Sequence, residues 1–272
     1  MSIEIGTTEL ARRLRAHALR MTHKARASHI GSCLSIADLL AVLYGRVLRV
    51  DPHSPRWPER DRFILSKGHA AAIAYAVLAE RGFFPLDWLD KYCEDGSRLA
   101  GHLTHHGVPG VEASTGSLGH GLSIACGIAL AGRYDRMDYR VFAVLSDGEC
   151  DEGSTWEAAM FAGHHRLASL TAIVDYNGFQ SLGRVKDVMD LEPFADKWRD
   201  FGWQTREIDG HDHNAILAAL NERPSGGRPH AIIAHTIKGK GVSFMENEFV
   251  WHYKSVNDDQ LTAALREIGA PE

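Results

Sequence analysis

Two polar residues that could bind a metal ion stand just behind two strongly apolar stretches of the chain. Asp147 follows the stretch 141–145, and Asn177 follows the stretch 170–174. Such stretches are typical of strands buried on both faces of a parallel sheet. Carboxylate and amide oxygens are hard ligands that suit Mg²⁺ when phosphate groups complete its coordination. The pair therefore predicts a magnesium diphosphate site at the ends of two strands.

The segment between the two apolar stretches has the periodicity of a helix. Its apolar and small residues recur at helical spacing, with acidic residues early and basic residues late, as the helix dipole favours. A strand, a helix and a second strand form a parallel pair, so Asp147 and Asn177 lie side by side at the carboxyl edge, where open α/β sheets bind ligands. The alternative is that Asp147-Gly148 is a hairpin turn. The helical pattern that follows argues against a returning strand.

The rest of the chain also alternates between strand and helix. We expect strands over 61–65, 203–208 and 230–235, and helices over 9–24, 70–81, 119–133, 212–221 and 258–268. Ser35 is the predicted N-cap of a further helix, and His29 falls in the loop before it. No repeat or linker-like tract breaks the sequence. We therefore predict an α/β fold, a parallel sheet with helices on both faces, in a single domain over residues 1–272.

The composition is that of an ordinary globular protein. Of 272 residues, 44% are apolar and 24% are charged, and the net charge is −5. No basic run suggests a nucleic acid or a membrane surface as a partner, and no apolar stretch approaches the roughly 20 residues that span a bilayer. The first residues lack the form of a signal peptide, so we expect a cytoplasmic protein. Four cysteines without paired spacing predict reduced thiols.

Sixteen histidines are many for this length, and several of them stand in predicted loops. His69 lies between a predicted strand and a predicted helix, an arrangement that aims backbone N–H groups at an anion. Residues 96–119 form a long predicted loop, which in a compact domain favours a binding function. His102, His105 and His106 lie within it and could suggest a zinc site. No cysteine or acidic residue stands at ligand spacing, so zinc is the weaker hypothesis.

Two other segments allow more than one interpretation. Lys238 and Lys240 stand among glycines after the last predicted strand, and they could bind phosphate or simply belong to a flexible loop. The helix over 119–133 carries a face of small residues, which fits either a core helix or a subunit interface. We interpret residues 211–213, His-Asp-His, as an N-cap with a solvated flank and no chemistry.

The segment that begins at Ser146-Asp147-Gly148 and reaches Asn177 thirty residues later resembles the thiamine diphosphate signature of the transketolase family. Further phrases resemble that family in the same order along the chain. They are His29-Ile30-Gly31, Ser66-Lys67-Gly68-His69, Gly101-His102, the TGSLGHGL phrase from Thr115 to Leu122, and TIKGKGVSFMEN from residue 236 with Trp251-His252. Two departures are visible: Ser146 replaces a usual glycine, and Leu103 replaces the usual proline after His102.

The resemblance implies a thiamine diphosphate-binding (PP-type) domain that holds this cofactor through Mg²⁺. The metal ligands would be Asp147, Asn177 and the carbonyl of Phe179. The catalytic residues would be His29, His69, His102 and His252. Glu152 resembles the acidic residue that links active sites across the transketolase dimer. Cofactor contacts are implied for His69, Gly116, Ser117, Leu118, Gly148, Glu152, Asn177 and His252.

Transketolases are at least about twice as long as this chain, so we expect the N-terminal, diphosphate-binding subunit of a split transketolase. Its partner would be a C-terminal subunit that binds the aminopyrimidine and supplies the activating glutamate, in a dimer of heterodimers. The implied activity moves a two-carbon ketol unit from a ketose or its phosphate to an aldose or its phosphate. One alternative is a subunit of an acyloin-forming enzyme like deoxyxylulose phosphate synthase, which the His-Ile-Gly-Ser phrase favours. The other is a catalytically silent regulatory half.

Overall fold

The computed structural model describes residues 5–271, and a five-stranded parallel sheet lies at the centre of their fold. The spatial order of its strands is β1-β2-β3-β7-β6, and a small antiparallel hairpin, β4-β5, follows β3. The strands are β1 (Arg62–Leu65), β2 (Val141–Ser146), β3 (Leu170–Tyr176), β4 (Phe179–Gln180), β5 (Gly183–Arg184), β6 (Gln204–Asp209) and β7 (His230–His235).

The helices connect the strands and cover both faces of the sheet. They are α1 (Thr7–Ala25), α2 (Ile30–Ser35), α3 (Ala37–Val42), α4 (Ala71–Glu80), α5 (Gly121–Tyr134), α6 (Gly153–His164), α7 (Val185–Val188), α8 (Phe194–Asp200), α9 (His213–Asn221) and α10 (Asp258–Glu267). Short 3₁₀ turns over Gly68–Ala70, Gly148–Asp151 and Phe249–His252 lie at the carboxyl edge of the sheet or beside it.

Alternate residues of the central strands face two separate hydrophobic cores. Val144 and Ile173 pack into one core with α1, α3, α4 and α9, whereas Ala143 and Val174 pack into the other with α5, α6 and α8. A period of two places successive side chains on opposite faces of a sheet. The predicted parallel sheet with helices on both faces is therefore confirmed.

The register of β2 and β3 places the two predicted metal ligands at the same edge. Ser146, the last residue of β2, pairs with Asp175, and β3 ends one residue later at Tyr176, so Asp147 and Asn177 both follow directly after their strands. Helix α6 makes the crossover between them, as the apolar periodicity predicts. Residues 93–119 contain no helix or strand and pass over this edge as the predicted long loop.

The prediction that Ser35 caps a helix is wrong. Helix α2 begins earlier, at Ile30, and Ser35 is its last residue. The hydroxyl of Ser35 donates to Asp175 Oδ2 at 2.7 Å, and its oxygen also lies 3.1 Å from the Ser32 carbonyl. His29, expected in a loop, occupies the N-cap position of α2 with φ of 75°. A buried carboxylate thus uses the hydroxyl that the sequence pattern assigns to capping.

None of the helices within residues 5–271 has both the length and the apolar character needed to cross a bilayer.

Candidate functional site

The tips of β2 and β3 are joined through the side chain of Asp147. Its Oδ1 accepts a hydrogen bond from the N–H of Gly148 at 2.8 Å, and its Oδ2 accepts one from the N–H of Gly178 at 2.5 Å. The side chain is fully buried. Burial, together with the nearby charge of Asp175, raises the pKa of Asp147 to about 7. A buried carboxylate of this kind favours a cation beside it.

Asn177 is held in one orientation by Asp175. Its Nδ2 donates to Asp175 Oδ2 at 2.8 Å, so its Oδ1 points away from that carboxylate and accepts from the N–H of Phe179 at 3.1 Å. Asp147, Asn177 and the Phe179 carbonyl thus offer a carboxylate, an amide and a main-chain oxygen. Hard oxygen donors beside a buried acidic group fit a magnesium ion. These residues are therefore compatible with the metal that the sequence predicts.

Asp175 is the hub of a buried polar network that sequence analysis did not identify. The Lys67 ammonium lies 2.5 Å from its Oδ2 and 3.0 Å from the carbonyl of Ser32, and the hydroxyls of Ser35 and Thr236 also donate to the carboxylate. Burial acts to raise the pKa of Asp175, but the charge and hydrogen bond of Lys67 outweigh it and lower the pKa. The network ties α2 and the ends of β1, β3 and β7 to the residue that orients Asn177.

The four histidines predicted to be catalytic form one cluster. The ring centroid of His29 lies 5.2 Å from that of His69, 5.6 Å from that of His102 and 5.0 Å from that of His252. They come from four separate segments, which the fold brings to the mouth of one cavity. Burial, followed by nearby cationic groups, lowers the pKa of His29 to about 4 and that of His252 to about 3. Both imidazoles are therefore neutral at physiological pH.

The cavity beside this cluster has a volume of about 190 Å³ and reaches the strand tips. Most of the predicted site residues line it, together with polar residues for which no role was predicted. The lining residues are His29, Ser32, His69, His102, Gly116, Leu118, Ser146, Gly148, Asn177, Phe179, Gln180, Ser181, Lys238 and His252.

Lys238 and Lys240, which the sequence treats alike, have different surroundings. The Nζ of Lys238 lies 3.2 Å from His252 Nδ1 and 3.4 Å from the hydroxyl of Ser32, and the side chain is buried in the cavity wall. Burial and the charge of Lys67 lower the pKa of Lys238 to about 8. Lys240 instead pairs with Glu246, at 3.4 Å. Lys238 is therefore the one suited to an anion in the cavity.

Glycines allow the loops around the cavity to approach one another closely. Gly116 has a φ of 150°, and a Cβ at this position would lie 2.7 Å from the His102 ring.

Leu103, the residue that departs from the family pattern, donates its N–H to the Gly68 carbonyl at 3.0 Å, a bond that proline could not make. The long loop is thus pinned to the turn that carries His69.

Glu149 is a second buried carboxylate that the sequence did not reveal. It accepts hydrogen bonds from the N–H of Gly119 at 2.9 Å and from the hydroxyl of Ser66. The N–H of Glu149 itself donates to the hydroxyl of Ser146 at 3.2 Å. Burial raises the pKa of Glu149. Its position in an acidic stretch before a helix is typical of a solvated side chain, so no local signal distinguishes it.

Some residues predicted at the site lie outside the cavity lining. Ser117 and Glu152 are exposed, and Glu152 occupies the N-cap position of α6 without a capping hydrogen bond from its side chain. Asp147 is fully buried and is not among the residues that line the cavity. Ser32, in contrast, lines the cavity although no role was predicted for it. Its spacing of three residues from His29 becomes informative only once this segment is known to be helical.

The prediction of a solvated flank at residues 211–213 is partly wrong. Asp212 caps α9 as expected, accepting from the N–H groups of Asn214 and Ala215. His211 and His213 are not solvated but contact the carboxylate of Asp38, at 2.7 and 3.1 Å. The rings of His105 and His106, considered for zinc, lie 4.1 Å apart at a tilt of 35° and do not line the cavity. Residues 5–271 contain no group of three or more His, Cys, Asp or Glu that could hold a metal ion.

The small residues of α5 lie on two sides of the helix, and Ala125, Cys126, Ala129 and Gly132 are buried against the core. Ser123, Gly127 and Ala131, spaced four residues apart, are exposed, and a Cβ at Gly127 would meet no other atom within 4 Å. The neighbouring helix α6 exposes Met160 and Phe161. The buried side of α5 fits the core interpretation, and the exposed small residues fit the interface interpretation.

Comparison with known proteins gives consistent matches over nearly the whole chain. A family model described as the transketolase, thiamine diphosphate binding domain matches residues 7–271. The chain is 42% identical over 266 residues to the 6-deoxy-6-sulfo-D-fructose transketolase subunit SqwG of Clostridium sp. (strain MSTE9), a match that covers 97% of both chains. It is 40% identical over 268 residues to an apulose-4-phosphate transketolase subunit of Phocaeicola vulgatus, covering 98% of this chain and 95% of that one.

Solved transketolase structures share the fold. The transketolase of Campylobacter jejuni superposes with a TM-score of 0.92 and 31% identity, and that of Leishmania mexicana with 0.91 and 29%. These matches cover 99% and 98% of this chain but only 43% and 42% of the solved chains. The chain therefore spans about two fifths of the length of these transketolases.

Proposed function

The chain belongs to the transketolase family, and on that premise we propose that it is the N-terminal, thiamine diphosphate-binding subunit of a transketolase built from two polypeptides. The support is a difference in coverage. The chain covers 97% and 95% of two relatives that are named as transketolase subunits, but about two fifths of solved transketolases. We further propose that residues 1–272 form a single domain.

The cofactor and its metal are assigned to the strand tips. Asp147, the Oδ1 of Asn177 and the carbonyl of Phe179 would hold Mg²⁺, and Lys238 would balance the charge of the diphosphate. Bound thiamine diphosphate supplies the electron sink for cleavage of a carbon–carbon bond beside a ketone. The support is this set of three oxygen ligands, together with the burial of the Asp147 carboxylate, which a bound cation would compensate. Magnesium fits these donors better than a softer metal.

The residues of the cavity wall are proposed to bind and orient the cofactor. His69, Gly116, Leu118, Gly148, Asn177 and His252 line the cavity. Ser117 and Glu152 are exposed and do not line the cavity, so we assign them contacts that form when the partner subunit binds.

The histidine cluster is proposed to bind the sugar. His29, His69, His102 and His252 line the cavity together, and the lowered pKa values of His29, His69 and His252 leave these three rings with one donor and one acceptor nitrogen each. Such rings can hydrogen-bond hydroxyl groups and transfer protons close to neutral pH. Because burial keeps His29 and His252 uncharged, they would accept hydrogen bonds from sugar hydroxyls. Uncharged rings would also not repel the ammonium group of Lys238.

The partner is proposed to be a C-terminal subunit that completes the site. It would bind the aminopyrimidine, supply the glutamate that activates it, and cover the exposed face of α5 and α6 described above. Exposed small and apolar side chains on adjacent helices are suited to close packing with another subunit. We propose a dimer of heterodimers that works in the cytoplasm on ketose and aldose substrates, free or phosphorylated.

The observation that carries this proposal is the junction of Asp147 with the Asn177 turn beneath the histidine cluster. The experiment combines the chain with its candidate partner subunit, Mg²⁺ and thiamine diphosphate, and measures ketol transfer. The donor panel contains ketoses with phosphate and with sulfonate groups, because the names of the two relatives include one of each. Asp147→Ala is expected to abolish transfer, whereas Asp135→Ala, at an exposed position, retains it.

Other outcomes distinguish the remaining hypotheses. Decarboxylation of pyruvate by the pair would indicate an acyloin-forming enzyme. Full transfer by the pair carrying Asp147→Ala would indicate a silent regulatory half, and equal activity of the isolated chain would exclude dependence on a partner.

A further inference from the structure

A buried cluster outside the cavity surrounds the carboxylate of Asp38 in α3. Arg15 of α1 donates to both oxygens, at 3.1 and 2.6 Å. His211 Nδ1 lies 2.7 Å from Oδ2, and His213 Nε2 lies 3.1 Å from Oδ1. Burial acts to raise the pKa of Asp38, but these three partners outweigh it and hold the pKa well below its usual range. We call Arg15, Asp38, His211 and His213 the Asp38 cluster.

The hydrogen-bond roles of the two histidines follow from their partners. An ionised carboxylate only accepts, so both imidazoles donate to Asp38. The other nitrogen of His211, Nε2, accepts the backbone N–H of Ile237 at 2.9 Å. Because a backbone N–H only donates, His211 is neutral with its proton on Nδ1. The other nitrogen of His213 faces the hydroxyl of Thr7 at 2.8 Å, which can donate or accept.

The Asp38 cluster holds one short segment at two points. His211 accepts the N–H of Ile237, and the Nε of Arg15 donates to the carbonyl of Lys240 at 3.1 Å. Between these points, the N–H of Gly239 donates to the carbonyl of Gly31 at 3.0 Å. Lys238, the buried lysine of the cavity wall, lies inside this segment. Residues 237–240 therefore join the Asp38 cluster to the cavity.

We propose that His211 is a positioning residue. Its neutral imidazole donates to Asp38 and accepts the N–H of Ile237, which fixes residues 237–240 and so keeps Lys238 directed into the cavity. The inference rests on the proposed function in one respect, since it takes Lys238 to face the cofactor diphosphate. Within residues 5–271, the hydrogen-bond partners of the His211 ring are Asp38 and Ile237, and neither of them lines the cavity. His211 acts by accepting the N–H of Ile237. Without this acceptor the buried N–H would lack a partner, and the segment would shift to find one.

Three variants separate positioning from general stability. His211→Ala removes both the bond to Asp38 and the acceptor for Ile237. His211→Gln retains one donor and one acceptor in a carboxamide, as the neutral ring does. His213→Ala is the matched control, because it also removes a hydrogen bond to Asp38 but leaves residues 237–240 untouched.

The test has one readout without cofactor and one with it. Hydrogen exchange of the full-length chain follows the backbone amides of residues 236–246 in the absence of any ligand. Calorimetry of the chain with its partner subunit measures the affinity for thiamine diphosphate at saturating Mg²⁺. His211→Ala is expected to exchange faster in this segment and to bind about two- to tenfold more weakly, as expected for loss of one net hydrogen bond. His211→Gln is expected to restore most of the exchange protection and of the affinity, and His213→Ala to leave both quantities near the wild-type values.

The two readouts distinguish the failure of this inference from that of the proposed function. If the wild-type pair does not bind thiamine diphosphate, the proposed function is wrong, and the exchange contrast alone decides whether His211 holds the segment. If the wild type binds and His211→Ala matches it in exchange or in affinity, the positioning role is overturned. It is also overturned if His213→Ala weakens binding as much as His211→Ala, since the effect would then be one of general stability.

Discussion

The ammonium group of Lys67 lies 2.5 Å from a carboxylate oxygen of Asp175, and neither side chain is exposed to solvent. Lys67 follows β1, and Asp175 is the second-last residue of β3. The pair stands directly beneath Asn177, whose amide Asp175 orients. A buried charge pair of this kind costs desolvation free energy, but removal of one partner leaves the other charge uncompensated. The ion pair therefore supports the proposed magnesium site without providing a ligand to the metal.

Lys67→Met is expected to lower the free energy of unfolding by about 3 to 5 kcal/mol, because it leaves Asp175 charged and buried with only neutral donors. Urea denaturation followed by circular dichroism measures the loss. Lys24→Met is the control, since that lysine is exposed and its ion pair with Glu94 is long, at 3.6 Å. A loss below about 1 kcal/mol, the level of exposed pairs, would contradict the buried-pair account.

Asp147→Asn is expected to gain stability relative to the cofactor-free wild type as the pH rises above about 4, while abolishing magnesium-dependent cofactor binding. Its amide keeps only one of the two oxygens that accept the N–H groups of Gly148 and Gly178, so the variant is less stable than the wild type at acid pH. The pKa of Asp147 is raised from 3.8 to about 7 by burial, so the folded state binds its proton more tightly than the unfolded state. Stability is therefore lost as the pH rises from about 4 to about 7. The gain at pH 8 is at most about 4 kcal/mol, since a tenfold change in proton affinity corresponds to about 1.4 kcal/mol.

Thermal unfolding of Asp147→Asn and wild type at pH 5 and pH 8, without metal, tests this expectation. The melting temperature of the variant should rise relative to that of the wild type as the pH rises. A variant that is equally destabilised at both pH values would show that the carboxylate is not strained by burial.

Ser146→Gly is expected to change stability more than cofactor affinity. The hydroxyl of Ser146 accepts the N–H of Glu149 at 3.2 Å, within the 3₁₀ turn Gly148–Asp151 that Asp147 caps. Loss of this hydrogen bond costs about 0.5 to 1.5 kcal/mol, with a further cost from the flexibility of glycine. The affinity for thiamine diphosphate, measured by calorimetry, should change less than about twofold, which is less than the contribution of one net hydrogen bond. A large gain in affinity would show instead that the hydroxyl crowds the diphosphate.

Acid is expected to destabilise the chain through its buried histidines. The pKa of His29 falls from 6.5 to about 4 on folding, chiefly by burial, so the unfolded state binds more protons between these values. Stability therefore declines as the pH is lowered from about 6.5 to about 4. His29→Gln, which cannot be protonated, should reduce the decline in melting temperature by a few degrees, since about 1 kcal/mol corresponds to roughly 2 to 4 °C.

The matched control for the histidine prediction is the exposed His53→Gln. The two variants and the wild type are compared by thermal unfolding from pH 7 to pH 4.5. If His29→Gln and His53→Gln follow the same curve, burial of His29 does not carry the acid sensitivity.

Much of the fold could be predicted because its signals are local. The apolar stretches of β2 and β3 and the periodicity of α6 place Asp147 and Asn177 at one edge, and the register of Ser146 with Asp175 confirms it. The start of α2 could not be predicted in this way. Ser35 has the form of an N-cap, but its hydroxyl serves a carboxylate 140 residues away in the chain.

The sequence by itself determined the parallel sheet, the strand tips that carry Asp147 and Asn177, and the set of histidines, because each depends on short-range periodicity or on a motif. Only the tertiary structure decided what the other polar residues do. It placed Lys238 in the cavity, Lys67 beneath Asn177, and His211 between Asp38 and Ile237. These roles depend on distances between segments far apart in the chain. Residue type alone leaves a buried partner and a solvated side chain indistinguishable, whereas burial makes each unpaired polar group costly and so selects one arrangement.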